Sequence, residues 1–152
     1  MATNIWNPFL ETLPLDMLQD IQFKRFKKIF KHAYHNSPFH KKKYDEASIN
    51  IDSIKAPADT RLIPLTAKDD FRDAQGGRES FPYGEVLAVP IEEVTSYHQT
   101  TGTTGEPVRF ADTWADWEMY AENWAMMMYS RGLRKSDRPP DGAKALIHVI
   151  VG

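Results

Sequence analysis

Apolar side chains recur at every third or fourth position between Leu15 and Asn36, which predicts a long amphipathic helix. Phe23, Phe26 and Phe30 form the clearest part of this apolar stripe. The opposite face is basic and carries Lys24, Arg25, Lys27, Lys28 and Lys31. A positive stripe of this kind is either a solvated surface or a site for an anionic partner, and we favour the solvated surface. Ser37-Pro38 is expected to end the helix, because proline restricts the residue before it.

Shorter segments surround this helix. We predict a loop over Met1–Leu13 and a second, short helix over Phe39–Glu46. Between Ile49 and Pro64 the apolar residues are scattered, which indicates a connector that docks on a core at a few points.

Residues 64–84 carry the signals of a helix start, followed by those of a loop and a turn. Pro64–Arg72 is predicted to open a helix, with Thr66 as the N-cap and Asp69 at the capping-box position three residues later. Gln75–Ser80 is polar and contains two consecutive glycines, so we predict a loop there. The proline and the glycine of residues 81–84 predict a turn.

A run of threonine and glycine stands between two predicted strands. Val86–Pro90 and Val94–His98 are the strand candidates before the run, and Val108–Phe110 is the strand after it. Between them, the six residues Thr100–Gly105 are only threonine and glycine. Such a loop brings flexible backbone N–H groups and hydroxyls together, which suits phosphate oxygens. The alternative is a polar hairpin turn, which the same residue types favour.

This run is not a Walker loop. A Walker loop needs a lysine before its last hydroxyl residue and a helix directly afterwards, whereas Glu106-Pro107 and a strand follow here. His98, two residues before the run, is expected either to touch a substrate or to take part in packing. The five histidines show no convincing metal-ligand spacing, so we predict no metal site among them.

In the last third of the chain, apolar residues again recur with a helical period. Trp117, Tyr120, Trp124 and Met127 form a stripe that predicts a helix with a buried face, and Gly132 is predicted to end it. The final apolar run, Lys144–Val151, predicts a buried strand. Because a chain seldom stops inside a core strand, we expect a truncated chain or a piece of a larger protein.

Composition limits the classes of function. The formal net charge is −2 at pH 7 and the pI is about 6.2, so charge gives no indication of nucleic acid or membrane binding. With no cysteine, disulfides, zinc–thiolate sites and thiol nucleophiles are excluded. The N-terminal residues lack the pattern of a signal peptide, and we expect a cytoplasmic protein.

The Thr/Gly run resembles a known signature. Thr100, Thr101, Gly102, Thr103, Thr104, Gly105 and Pro107 match Ser/Thr-Ser/Thr-Gly-Thr-Thr-Gly-x-Pro, the phosphate-binding motif of the adenylate-forming superfamily. The succession of Pro64–Arg72, the turn at residues 81–84 and Ala88–Val94 is similar to the N-terminal part of the phenylacetate-coenzyme A ligases, a branch of that superfamily. The resemblance covers about residues 15 to 137.

The resemblance implies the N-terminal part of an α/β large domain, with helices packed on a mixed sheet. We divide the fragment 1–152 into an N-terminal arm at 1–14, a helical subregion at 15–75, and a strand-loop-strand-helix-strand region at 86–152 that holds the phosphate loop. Many superfamily members have a lysine where Val108 stands, so the nearest cation of this chain is Arg109.

The activity implied by the resemblance has two steps. A carboxylic acid, with an aromatic acid favoured, attacks the α-phosphate of ATP to form an acyl-adenylate and pyrophosphate, and the thiol of coenzyme A then displaces AMP. The implied contacts with ATP phosphates, assisted by Mg2+, are Thr100, Thr101, Gly102, Thr103, Thr104 and Gly105. Catalytic residues are not identified, since those of the family lie beyond Gly152, and the 152-residue chain alone is expected to be inactive.

Two alternatives to this activity stay open. One is a related adenylating enzyme with a different acceptor, because the loop contacts only phosphates. The other is a non-catalytic partner module that keeps the fold. The sequence also leaves a homodimer open.

Overall fold

A computed structural model describes residues 4–76, 82–101 and 106–134. The chain divides into two compact units. One contains residues up to Leu18 together with those from Trp114 onward, and the other is Gln19–Thr113. The division into segments 1–14, 15–75 and 86–152 stays a prediction.

The second unit is built around two consecutive helices. Helix α2 spans Leu15–Asn36, as predicted, and α3 spans Pro38–Glu46. Ser37 separates them as the N-cap of α3, and Pro38 occupies the first helical position, where its missing N–H costs nothing. The predicted helix pair is therefore confirmed, with the break at Ser37, directly before the proline.

The core of this unit lies where α2 meets α3 and the connector that follows. Phe30, Tyr44, Ile49 and Ile54 are buried together, and the ring centroids of Phe30 and Tyr44 are 4.9 Å apart. Phe23, Phe26, Tyr34 and Ile63 pack around this cluster. The apolar stripe predicted for α2 is confirmed, because its aromatic residues form one side of the core.

Several segments that were predicted as connector or strand form short 3-10 turns. They span Ile51–Ser53, Pro57–Leu62, Gly84–Val86 and Ile91–Glu93. The predicted strand Val86–Pro90 is wrong, since Val86 ends a turn and residues 87–90 are neither helix nor strand. The buried hydroxyl of Ser37 donates to the Val86 carbonyl at 3.0 Å, in place of a neighbouring strand.

Helix α4 spans Lys68–Gln75, one residue later than the predicted cap implies. Thr66 is not its N-cap. Ala67 takes that position with extended backbone, and the Ala67 N–H donates to Asp70 Oδ2 at 2.9 Å. Gln75 belongs to the helix and not to the predicted loop, while Gly76 ends the helix with a φ of 57°.

Two antiparallel strands complete this unit. Strand β1 spans Val94–Gln99 and β2 spans Arg109–Thr113. Gln99 pairs with Arg109 and His98 with Phe110, and the register shifts between Val94 and Ser96. Both strands were predicted around the Thr/Gly run. The further predicted strand, Lys144–Val151, lies outside the described residues.

The first unit pairs an N-terminal turn of helix with a long helix. Helix α1 spans Pro8–Glu11, so the predicted loop over Met1–Leu13 is wrong at these residues. Asn7 caps α1 by accepting from the Leu10 N–H at 3.1 Å. A single turn that starts at Asn7-Pro8 is too short to show a helical period in the sequence.

Helix α5 spans Trp114–Ser130 and ends as predicted at Gly132. Gly132 has a φ of 100°, its N–H donates to the Tyr129 carbonyl, and the Leu133 N–H donates to the Met128 carbonyl. These two bonds form a Schellman motif, which requires left-handed backbone at the glycine.

The buried face predicted for α5 is only partly covered. No residue of this helix is fully buried, and Tyr120 and Met127 are about half exposed. Within this unit, the N-terminal arm contacts α5 through Trp6 against Tyr129 and through Asn7 against Glu122. These contacts involve the end and the middle of α5.

Across residues 4–76, 82–101 and 106–134, no helix combines the length and the apolar character that crossing a bilayer requires.

Candidate functional site

The Thr/Gly run leaves β1 and returns into β2, and its base is closed by paired hydrogen bonds. The Thr100 N–H donates to the Val108 carbonyl at 2.9 Å. The Val108 N–H donates to Thr100 Oγ1 at 3.0 Å. Thr100 thus extends the strand pairing by one step, with its side chain in place of a second backbone acceptor.

Of the six residues predicted to contact phosphate, two are described. Thr100 is partly exposed and Thr101 is exposed, at the point where the chain leaves β1. The Thr100 oxygen already accepts the Val108 N–H, which leaves its O–H hydrogen to donate elsewhere. Gly102, Thr103, Thr104 and Gly105 lie outside the described residues.

Val108 has a structural role at the position where the resemblance leads one to expect lysine. Its side chain is completely buried, with 0% of its surface exposed. An ammonium group placed there would lose its hydration, which is costly without a partner. At this position, the lysine found in many superfamily members is therefore replaced by a buried valine, which packs as an apolar anchor.

Helix α4 holds the segment that follows the run. The Arg109 N–H donates to Gln75 Oε1 at 2.9 Å, and Gln75 Nε2 donates back to the Arg109 carbonyl. One turn earlier on α4, Arg72 Nε donates to the Glu106 carbonyl at 3.0 Å and its guanidinium also binds Asp69. Two side chains of one helix therefore fix two backbone positions just beyond the run.

Sequence reasoning missed Gln75, because it placed this residue in a loop. A signal was present, since Gln75 is four residues after Phe71 and four-residue spacing puts both on one helix face. Phe71 packs against Phe39 and Phe110, with ring centroids 5.2 and 6.0 Å away. The face of α4 that carries Gln75 is thus the face turned toward β2.

Gly84 lies against the end of the same helix. Its φ is +56°, and a Cβ built on it would lie 2.6 Å from the Gln75 Cα and still nearer to the Ala74 carbonyl oxygen. The adjacent Tyr83 is buried, and this burial, followed by Tyr97 and Asp112, raises the pKa of its hydroxyl. The turn at residues 82–84 is therefore packed between α4 and the strands.

The start of α4 is held by an ion pair. Lys43 of α3 binds the Asp70 carboxylate, which also accepts the Ala67 N–H. The hydrogen bond from Lys43, followed by that from Ala67, lowers the pKa of Asp70 below its ordinary value of 3.8. The helix that fixes the end of the run is thus itself tied to α3.

We expect Asp70→Asn to lower the melting temperature at neutral pH, and the difference from the wild type to vanish in acid. A carboxyl group with a lowered folded-state pKa stabilises the fold above its ordinary pKa, and this contribution is lost as pH falls through the lowered value. Melting curves recorded from pH 7 downward measure the difference. Asp73→Asn, an exposed carboxylate of the same helix, is the matched control. A difference that persists unchanged well below pH 3.8 would contradict this assignment.

His98 is engaged by a carboxylate from the neighbouring strand. Its Nε2 lies 2.8 Å from Asp112 Oδ2, and Ser96 Oγ donates to the same oxygen at 3.3 Å. The serine hydroxyl and the histidine ring thus meet at one carboxylate oxygen, whereas in a nucleophilic triad the hydroxyl donates to the histidine. In the part of the chain that the structure describes, no three His, Asp or Glu side chains gather as a metal-ligand group.

Comparison with known proteins adds to this geometry. No protein-family profile matches the chain. Phenylacetate-coenzyme A ligase of Escherichia coli (strain K12) is 36% identical over 152 residues, which is 100% of this chain and 31% of that enzyme. The enzyme of the same name from Thermus thermophilus is 35% identical over 130 residues, which is 86% of this chain and 28% of the enzyme.

The chain is a homologue of part of the phenylacetate-coenzyme A ligases. It spans less than a third of the length of these ligases, a share that fits the N-terminal portion predicted from the order of motifs. A crystal structure of 2-hydroxyisobutyryl-CoA ligase in complex with 2-HIB-AMP and CoA matches with a TM-score of 0.79 and 30% identity, over 87% of this chain and 28% of that one. This match confirms the predicted α/β, adenylate-forming fold class for the part of the ligase fold that the chain covers.

Proposed function

We propose that this chain is the phosphate-binding part of an ATP-dependent acid–coenzyme A ligase. The observation that carries the proposal is the Thr/Gly run itself, held between β1 and β2 in a chain that aligns along its full length with a phenylacetate-coenzyme A ligase. The intact enzyme joins a carboxylic acid to ATP as an acyl-adenylate and then passes the acyl group to the thiol of coenzyme A. The cytoplasmic location predicted from the sequence is part of this proposal, and a homodimer stays open.

The role of the run in this reaction is to orient pyrophosphate as the leaving group. Thr100, Thr101, Gly102, Thr103, Thr104 and Gly105 supply hydroxyl and backbone N–H donors to the β- and γ-phosphates. The donor chemistry of Thr100 and Thr101 fits anionic oxygens, because a hydroxyl can donate while it accepts another bond. Mg2+ arrives with ATP, and when bound it neutralises charge on the phosphates.

The acid that we propose is aromatic, on the strength of the relatives named for phenylacetate. A second candidate is a small hydroxy acid, which is favoured by the match to a ligase named for 2-hydroxyisobutyrate. An adenylating enzyme with an acceptor other than coenzyme A is the remaining alternative. The phosphate loop serves all of these equally, so substrate assays must distinguish them.

The test is pyrophosphate release by the protein produced from the complete reading frame that encodes this chain. With ATP, Mg2+ and coenzyme A, we expect release in the presence of phenylacetate, and a weaker response with 2-hydroxyisobutyrate. If repeated turnover of pyrophosphate release requires the acid but not coenzyme A, the enzyme uses another acceptor. Absence of release with every aromatic and hydroxy acid would contradict the ligase assignment and favour a non-catalytic module.

Thr101→Val tests the loop within the same assay. The substitution removes a hydroxyl but keeps a β-branched side chain of similar size. One lost hydrogen bond to a charged phosphate is expected to raise the KM for ATP about 10-fold. Thr95→Val on β1, whose hydroxyl donates to the Asp112 carbonyl at 3.2 Å, is the matched control and should leave this KM within about twofold. Equal effects of both variants would argue against a phosphate contact at Thr101.

A further inference from the structure

The side-chain amide of Gln75 acts toward Arg109 as a neighbouring strand would. Its oxygen accepts the Arg109 N–H and its nitrogen donates to the Arg109 carbonyl, so both backbone groups of one residue are satisfied by one side chain. Antiparallel strands exchange the same pair of bonds between two residues. Only 2% of the Gln75 surface is exposed. A buried amide is stabilising only when both of its ends are paired, which makes this contact specific.

The backbone of Glu106–Arg109, the segment directly after the run, is held from two opposite sides. Val108 directs its N–H and carbonyl to Thr100, on the β1 side. Successive strand residues point these groups in opposite directions, so those of Arg109 face away from β1 and meet Gln75. Arg72 holds the Glu106 carbonyl, closer still to the run.

We propose that Gln75, assisted by Arg72, is a positioning residue for ATP binding. It acts through the backbone of Glu106–Arg109 and sets the place and direction in which the chain leaves the phosphate-binding run. This inference rests on the proposed function, because it assumes that the run binds ATP. Neither side chain is assigned a contact with the nucleotide itself.

The distinction from a general structural role lies in what a substitution changes. Loss of the anchor displaces donors by a fraction of an ångström to an ångström, and misplacement on that scale costs catalysis far more than it costs folding. A residue that only supports the fold lowers stability without selecting one substrate. A positioning residue instead weakens ATP binding and leaves the affinity for the acid as it was.

The test compares Gln75→Leu with Ile54→Val in the protein made from the complete reading frame. Leucine keeps the volume but removes both bonds, whereas Ile54→Val loosens the core of the same unit away from the run. We expect Gln75→Leu to weaken ATP–Mg2+ binding, measured by isothermal titration, about 10- to 100-fold. In steady-state assays its KM for ATP rises similarly and its KM for the acid is unchanged. Ile54→Val should alter neither constant by more than about twofold.

A second substitution keeps the test decisive if Gln75→Leu does not fold. Arg72→Met removes the bond to the Glu106 carbonyl at a partly exposed position, and we expect a 3- to 10-fold loss of ATP affinity, about one hydrogen bond. Wild-type ATP affinity in every variant of the two that folds would overturn the inference and leave the proposed function standing. An equal loss in Ile54→Val would overturn it as well. Failure of the wild-type protein to bind ATP would overturn the proposed function and this inference together.

Discussion

Gly84→Ala should destabilise the unit formed by Gln19–Thr113 by about 2–5 kcal/mol. Left-handed backbone costs a non-glycine residue about 1–2 kcal/mol, and Gly84 has a φ of +56°. The new methyl group would also overlap the backbone of Ala74 and Gln75 at the end of α4, where no side chain can rotate away. Overpacking of this kind adds about 1–3 kcal/mol.

Urea denaturation followed by far-UV circular dichroism measures the loss, because α2, α3 and α4 supply much of the helical signal. Gly132→Ala is the matched control. Gly132 also has positive φ, but no atom of the described residues lies within 4 Å of its added Cβ, so we expect only the backbone cost of about 1–2 kcal/mol. Equal losses at the two positions would show that the clash with α4 does not exist.

Tryptophan fluorescence separates the two units in this experiment. All four tryptophans, at positions 6, 114, 117 and 124, belong to the unit that contains α5. Gly132→Ala should therefore shift the fluorescence transition. Gly84→Ala should shift the circular dichroism transition first, since its clash lies in the unit without tryptophan.

Phe30→Ala should destabilise the same unit by about 3–5 kcal/mol, the usual cost of removing a buried aromatic ring. Phe30 is 4% exposed and contacts Phe26 and Tyr44 by ring packing in the middle of the α2–α3 core. Tyr34 and Tyr44 of the same core are stacked on each other, which limits how far they can move into the space. The urea midpoint measured by circular dichroism should fall accordingly.

Ile29→Ala provides the neighbouring control. Ile29 is 61% exposed on the other side of the same helix turn, so its truncation should change the free energy of unfolding by no more than about 0.5 kcal/mol. A loss at Ile29 comparable to that at Phe30 would mean that α2 buries a different face from the one described.

The sequence was sufficient for elements whose signals are local. The period of aromatic residues defined α2 from Leu15 to Asn36, and the short β-branched and aromatic segments on either side of the Thr/Gly run located β1 and β2. Gly132 could be recognised because a Schellman motif requires backbone that only glycine adopts readily. Each of these features depends on a few consecutive residues.

Features that depend on distant residues were not predictable. The N-cap of α4 is Ala67 and not the predicted Thr66, because Asp70, and not Asp69, accepts the N–H of the cap residue, and Asp70 is held by Lys43 from another helix. Val86–Pro90 has strand-like composition, yet Ser37 takes the Val86 carbonyl and a turn forms. Both results were decided by tertiary contacts that no local pattern records.

The candidate site divides in the same way. The Thr/Gly run can be recognised from the sequence alone, because its composition and its resemblance to the phosphate-binding motif are contained in a few adjacent residues. The role of Gln75 cannot be recognised in this way, because it is defined by Arg109, 34 residues later, and by the burial of the Gln75 side chain. Local reading therefore finds the groups predicted to contact a ligand more readily than those that hold them in place.

The contact of Gly84 with the end of α4 has a consequence for protein engineering. The chain turns away from α4 at Gly76 and comes back at Gly84 against the backbone of Ala74 and Gln75, so both ends of the intervening segment are fixed at one place. When the ends of a segment are already held together, added length costs loop-closure entropy of about 0.6 kcal/mol for each doubling. A fluorescent reporter inserted between these two glycines is accordingly expected to leave the register of β2 unchanged.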